Sequence, residues 1–315
     1  MCVTVPGARS ITRGETSTGG GRSELWERFG FALERWLPAF SVGSMTLEDH
    51  LGDIVRKARA MNGVRVSDAA RALGMTEAEW EEFEQSGRMP RQVDWKALAE
   101  RVGLNPEKLE SLVRGWLPKV PPLETWQVLR RFTTQEGDNC VHAYLIWDPE
   151  TLEAALFDTG WDVSEILEVV EAQGLKLKYL FLTHGHPDHV AGVGRLQGEV
   201  EGLEVRAHPR PAPRDLPDEE GLSVGRLRIW CRPTPGHAPD GVTYVIRGWP
   251  NGAPPVAVVG DAIFAGSLGR GNQSWELARQ AVRDQILTLP PETLICPGHG
   301  PLTTVAEEKA HNPFF

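Results

Sequence analysis

From residue 45 to about 118, apolar side chains recur every three or four positions, the signature of amphipathic helices. The spacing predicts helices over 47–60, 68–73, 76–85, 93–102 and 106–116. Ser67 is expected to cap the second helix. Thr76 should cap the third, with Glu79 at the capping-box position, and Asn105 the last, with Pro106 in its first turn. Gly74, Gly87 and Pro90 punctuate the run, and Pro118, Pro121 and Pro122 close it as a stiff linker. Beyond 123 the pattern changes to alternation and short apolar runs. It predicts strands over 128–133, 143–147, 154–157, 179–182, 205–207, 227–230, 242–246 and 256–259. Helical patterns intervene at 163–172, 189–196 and 275–287. The expected fold class is therefore α+β, a small all-α domain at 45–118 followed by a layered domain at 119–315.

Residues 1–44 read differently. A stretch rich in Gly, Ser, Thr and Arg, with Gly19-Gly20-Gly21, buries little and is expected to be mobile. Leu25, Phe29, Leu33, Trp36 and Phe40 then fall at helical spacing and predict an amphipathic helix docked on the body. The alternative reading makes Met45 the natural first residue.

Composition narrows the class. In 315 residues, 33 Lys and Arg stand against 43 Asp and Glu, a formal charge of −10, which gives no bulk attraction for a phosphate backbone. No apolar run approaches the ~20 residues of a membrane-spanning helix, so a soluble chain without membrane partners is expected. The cysteines at 2, 140, 231 and 296 show no CxxC spacing and read as reduced buried thiols of a cytoplasmic protein.

The most informative segment is Leu182-Thr183-His184-Gly185-His186-Pro187-Asp188-His189. It begins where a predicted strand ends. Three imidazoles and a carboxylate in so short a stretch cannot make an ordinary core, because each would need a buried polar partner. Neutral imidazole and carboxylate together are suited to a dication. A His-x-His pair across a tight turn lets both rings address one ion, and Asp188-His189 then points at a second position. Downstream, His237, Asp261 and His299 each follow a predicted strand with Gly or Pro beside them, which permits sharp, rigid presentation.

With these motifs in this order, residues 123–315 resemble the metallo-β-lactamase-fold hydrolases, and among them the glyoxalase II-like branch. The resemblance implies an αββα sandwich with metals at one edge of the sheets. It implies that His184, His186 and His237 bind a first ion, that Asp188, His189 and His299 bind a second, and that Asp261 bridges them. Asp158, in Phe157-Asp158-Thr159-Gly160, matches a carboxylate that steadies the histidine loop. The ions would be divalent, with Zn the first choice and Fe or Mn the alternatives. Two such ions share a hydroxide that attacks a carbonyl carbon, with Asp188 and Asp261 as the carboxylates at the reacting centre. The segment Gly260 to Arg270 resembles the glyoxalase II-like loop in which the arginine lies near the substrate entrance, so Arg270 is a candidate substrate-binding residue.

Thioester hydrolysis on a small acyl substrate is the activity implied. The Thr-Asp usual after that arginine is Gly271-Asn272 here, and no helical domain of the type that clamps glutathione is expected after His299. Glutathione as carrier is accordingly less secure than thioester hydrolysis itself. Acyl-homoserine lactonases of the fold carry a tyrosine where this chain has Phe264. The rival within the fold is the persulfide dioxygenase branch, which uses a single iron held by counterparts of His184, His237 and Asp261. The Pro239-Asp240-Gly241 turn leans toward it, and Pro297-Gly298-His299-Gly300-Pro301 toward the two-metal hydrolases.

Ala70, Gly74, Trp80, Phe83, Glu84, Gly87 and Pro90 fall at the spacing of phage-repressor-type helix-turn-helix domains. That invites a third reading, a metal- or ligand-sensing DNA-binding regulator. The charges oppose it. The helix that would enter the major groove carries Glu77, Glu79, Glu81, Glu82 and Glu84 and no basic residue, with Glu77, Glu81 and Glu84 expected on one outer face. The domain is read instead as a protein-contact unit, a homodimer interface being its natural use.

Overall fold

In the computed structural model, residues 46–207 and 221–315 are described. The expected extension at 1–44, with its helix, lies outside the described residues. The helical module comprises α1 (Leu51–Met61), α2 (Val66–Ala72), α3 (Glu77–Ser86), α4 (Trp95–Val102) and α5 (Pro106–Val113). Thr76 and Glu79 form the expected capping box on α3, and Asn105 accepts from the Lys108 amide to cap α5. Ser67 does not cap α2, which starts a residue before it with Arg65 at the boundary.

Strands β1 (Leu129–Glu136), β2 (Asn139–Trp147), β3 (Glu153–Phe157), β4 (Lys176–Leu182) and β5 (Glu204–Ala207) pair in chain order. The pairs β1/β2 and β2/β3 are antiparallel, while β3/β4 and β4/β5 are parallel, with α6 (Ser164–Ala172) crossing between β3 and β4. The predicted helix at 189–196 is instead two short ones, α7 (Pro187–Val190) and α8 (Val193–Glu199). The second sheet contains β6 (Leu222–Val224), β7 (Leu227–Pro233), β8 (Val242–Arg247) and β9 (Val256–Gly260). After the hairpin β10 (Ile263–Phe264) and β11 (Ser267–Leu268), helix α9 (Trp275–Ala281) runs on into a π turn. β12 (Leu294–Pro297), β13 (Thr303–Thr304) and α10 (Val305–His311) complete the chain, the sheet order being β13-β12-β9-β8-β7-β6. The segments at 222–224, 263–268, 294–297 and 303–304 are too short to announce themselves as strands by period.

Three apolar layers hold these parts. Tyr144, Phe157 and Phe181 of the first sheet face Ile229, Tyr244 and Val258 of the second. Leu145, Leu156 and Leu180, on the other face of the first sheet, pack under α6 through Ile166 and Val169. The outer face of the second sheet carries the third layer, in which Val259, Ile263, Leu268 and Ile286 pack in one cluster with Val55, Leu98, Leu109 and Leu112 of the helical module. The αββα sandwich is thus capped on one side by α9, α10 and the module together, and 45–315 forms one compact unit. Pro118, Pro121 and Pro122 mark a change of architecture, with packing continuous around them.

Polar groups fasten this joint. Lys57, nearly inaccessible, forms an ion pair with Asp49 and donates from Nζ to the Leu268 carbonyl at 2.9 Å. Ser267 also donates to Asp49. Arg59 forms a two-pronged pair with Glu84, which also accepts from Trp80 Nε1 at 2.7 Å. Glu84 is therefore buried inside the module and does not share an outer face with Glu77 and Glu81, a correction to the sequence-based expectation. Cys140 is exposed, whereas Cys231 and Cys296 are buried as expected. Among the described residues, no helix is long and apolar enough to cross a membrane.

Glu308 at the start of α10 is wholly buried and accepts from Thr303 Oγ1 at 2.7 Å and Asn312 Nδ2 at 2.7 Å. Burial raises its pKa from 4.5 to about 7, against the pull of those donors. Between these values the unfolded chain has released a proton that the native chain retains, so unfolding becomes easier as pH rises. Thermal or urea unfolding should show stability falling from pH 5 to pH 8. Glu308→Gln should flatten that slope and gain on the order of 2–3 kcal/mol relative to the parent at pH 8.

Candidate metal centre

The site is built where strands stop. Asp158 follows β3, His184 and His186 follow β4, His237 follows β7, Asp261 follows β9 and His299 follows β12. The two sheets bring these ends to one edge of the sandwich. Asp158 sits in the left-handed region, at φ 55, a conformation that costs a non-glycine residue about 1 kcal/mol. The turn aims its buried carboxylate at the histidine loop. Oδ1 accepts from the Thr183 amide at 2.7 Å, and Oδ2 accepts from Thr183 Oγ1 at 2.7 Å and from His189 Nδ1 at 2.8 Å.

Each of four rings is fixed through its rear nitrogen, leaving the other to face inward. His189 is held by Asp158. His299 Nδ1 donates to the Cys140 carbonyl at 2.6 Å and His237 Nδ1 to the Arg270 carbonyl at 3.1 Å. His184 Nδ1 meets Thr183 Oγ1 at 3.1 Å. Inward-facing atoms then converge as two groups, His184, His186, His237 and Asp261 in one and Asp188, His189 and His299 in the other. In the first, His186 Nδ1 lies 2.9 Å from both His184 Nε2 and His237 Nε2. In the second, His299 Nε2 lies 3.3 Å from Asp188 Oδ2. Asp261 stands between them, Oδ1 3.3 Å from His189 Nε2 and Oδ2 3.5 Å from His237 Nε2 and 3.4 Å from His299 Nε2.

This donor set fits divalent metal. Ligands held tetrahedrally at 2.0–2.1 Å from a zinc ion lie roughly 3.4 Å apart, the scale found here. His189 Nε2 and Asp261 Oδ1 are buried without any hydrogen-bond partner, which a native interior tolerates only where something else satisfies them. At His184 and Asp188 the electrostatics agree. Burial, reinforced by the neighbouring imidazoles, lowers the His184 pKa to about 2, so this ring is neutral and able to coordinate. Burial would raise Asp188, but the His299 hydrogen bond and the His189 charge hold its carboxyl well below the usual range.

The space is tight enough to dictate a glycine. A Cβ on Gly298 would stand 2.4 Å from Asp261 Oδ1 and 2.6 Å from His189 Cε1. All seven residues expected as ligands are brought to this edge, and Asp158 lies behind them as expected. The Arg270 side chain is exposed and its main-chain carbonyl serves His237. Three further neighbours line the site, and sequence reasoning missed the first two. Asn139 donates from Nδ2 to Asp188 Oδ2 at 3.2 Å. Buried His142, kept neutral by burial with a pKa lowered to about 3, bonds through Nε2 to the Gly300 carbonyl at 2.8 Å. Phe264 lies edge-on to His299 with ring centroids 5.8 Å apart. Only the β1–β2 register, which places Asn139 at the hairpin turn, could have flagged the first.

Comparison with known proteins agrees with this geometry. A metallo-β-lactamase superfamily model matches residues 138–201, and a helix-turn-helix domain model matches 50–112. Mouse mitochondrial persulfide dioxygenase ETHE1 is 33% identical over 189 residues, covering 56% of this chain and 72% of its own. Hydroxyacylglutathione hydrolase GloC of Haemophilus influenzae is 31% identical over 198 residues, covering 54% and 90% respectively. The crystal structure of ETHE1 from Myxococcus xanthus aligns with a TM-score of 0.50 at 29% identity, over 59% of this chain and 83% of that one. The chain belongs to the metallo-β-lactamase superfamily, with a helix-turn-helix domain preceding the metallo-β-lactamase fold.

Removing the Asp158 carboxylate should release the His189 ring and the Thr183 turn together. Asp158→Ala is expected to weaken metal binding 10–100-fold, the usual effect of losing a hydrogen bond behind a ligand. Competition with a chromophoric chelator measures it, and a native circular dichroism spectrum in the variant separates this effect from unfolding.

Proposed function

We propose that the chain is a metal-dependent hydrolase that holds two divalent ions and cleaves thioesters, hydroxyacyl thioesters being the favoured class. One observation carries this reading. The second donor group, Asp188, His189 and His299, has as many residues of its own as the first has beside Asp261, and Asp261 lies close to both groups. The resemblance to a hydroxyacylglutathione hydrolase supports it. His184, His186 and His237 would hold one ion, Asp188, His189 and His299 the other, with Asp261 shared. Zinc suits this imidazole–carboxylate set best, and iron and manganese are the alternatives. Divalent ions bound there supply Lewis acidity toward a carbonyl oxygen and bring the pKa of water to about 7.

The chain's own residues do the rest. Asp188, with one oxygen held by Asn139, would take the proton from the attacking water. As the new C–O bond forms and the C–S bond breaks, that proton is available to the departing thiolate. Phe264, buried against His299, offers an apolar wall and no hydroxyl. Arg270, with its backbone tied to His237, lies at the opposite group and is the candidate to hold an anionic part of the substrate.

A second reading, a mononuclear iron persulfide dioxygenase using His184, His237 and Asp261, is favoured by the similarity to ETHE1 proteins. The two separate cleanly. We expect about two divalent ions per chain, hydrolysis in a panel of thioesters, lactones, β-lactams and phosphodiesters confined to the thioesters, and no persulfide-dependent oxygen uptake. Asp261→Ala should lose metal and hydrolysis together. One iron per chain with persulfide-dependent oxygen consumption would establish the second reading instead.

The helical module is proposed to serve protein contact, not DNA reading. Glu77, Glu81 and Glu82 remain exposed on α3, and Glu79 is paired with Arg91, so the face that would meet a major groove presents carboxylates. No binding beyond weak non-specific association is expected at physiological salt. Competition-resistant binding to a defined duplex, lost on changing α3, would refute this.

A further inference from the structure

The helical module reaches the rim of the metal centre through the segment that precedes α1. Gly300, next to His299, lies so close to Glu48 that a Cβ there would stand 2.9 Å from Glu48 Cβ and 3.1 Å from the Glu48 amide nitrogen. The next residue, Asp49, is buried and anchored by Lys57 and Ser267. Lys57 stands 5.1 Å from the centre of the Phe264 ring, which itself lies against His299. Glu48 is therefore fixed at the His299 end of the site by a chain of contacts running into both parts of the protein. Its own side chain is exposed and, among the described residues, has no hydrogen bond or ion pair.

We propose that Glu48 is a substrate-selecting residue, an anionic group at the rim that favours acyl substrates carrying an ammonium a few bonds from the scissile carbonyl over those carrying a carboxylate there. A thioester of an amino acid is the simplest member of the favoured class. The Asp49 charge is already balanced by Lys57, so of these two adjacent carboxylates Glu48 is the one left to meet the solvent and a ligand. Its arrival from the helical module means that the module determines which substrates reach a centre built entirely by the other part of the chain. The choice of acyl compounds rests on the hydrolase reading; the charge preference rests on Glu48 alone.

The test uses the full metal-loaded chain and three thioesters on one neutral thiol, β-alanyl, butyryl and succinyl, together with their methylene ketone analogues, which cannot be hydrolysed. The parent should favour β-alanyl over succinyl by about tenfold in kcat/KM at low salt, chiefly through KM, and the preference should shrink as the screening length falls from ~10 Å at 0.1 M to ~3 Å at 1 M salt. Glu48→Gln should bring the ratio close to one and Glu48→Lys should invert it, with thermal midpoint and metal content reported for each. Calorimetric affinities of the ketone analogues should follow the same order. An unchanged β-alanyl-to-succinyl ratio in Glu48→Gln would overturn the proposal. If the parent hydrolyses none of the thioesters, the hydrolase reading fails, and the ketone affinities alone then decide the role of Glu48.

Discussion

Asp158 is the carboxylate on which the rest of the site hangs. It is buried, left-handed in its backbone, and engaged with two atoms of Thr183 and one of His189. Through Thr183 it fixes the start of the His184–His186 turn, and through His189 it reaches the second donor group. The local strain of its backbone is offset by these charge-assisted bonds, which are roughly twice as strong as neutral ones. Imidazoles crowded at this distance would splay apart unless each were held from behind. Their rear partners, Asp158, Thr183 and the carbonyls of Cys140 and Arg270, come from three separate loops and the start of β2.

The candidate ligands were legible because four of the seven fall in one short run and the other three carry a local mark. The run His184 to His189 needs no tertiary knowledge to be read as metal-binding, and His237, Asp261 and His299 are marked by Gly and Pro beside them at strand ends. The supporting residues were not legible, because nothing in sequence separates Asn139 or His142 from an ordinary polar strand residue. Their roles arise only when β2 is laid beside α7, where Asn139 meets Asp188, and beside the 298–300 loop, where His142 meets Gly298 and Gly300. Glu84 shows the same limit in the helical module. Helical spacing placed it outward, but Arg59, twenty-five positions away, draws it into a buried pair that periodicity cannot foresee.

The helical module and the sandwich were legible as two patterns but not as one core. Amphipathic periodicity tells which face of a helix is buried and is silent on what covers it. Here the cover is the loop following Asp261. Gly266 has Leu112 and Trp116 so close that a Cβ on it would stand 3.0 Å from each, its amide donates to Glu308, and Asn312 donates to the Ser267 carbonyl at 2.8 Å. The hairpin after the shared carboxylate is thus gripped from the module on one side and from α10 on the other.

The buried Lys57–Asp49 pair, closed by Ser267 and the Leu268 carbonyl, gives this joint a lock-and-key character that apolar packing alone would lack. Apolar surfaces tolerate exchange for others of similar volume, whereas an ammonium sealed from water accepts only a neighbour that supplies its particular counter-charge. Recombination that placed another repressor-like helical unit before this metal fold would leave an unmatched charge in the seam. Inheritance should therefore treat the two parts as one piece, and drift at position 57 should be answered at 49 and 267 in the same lineage.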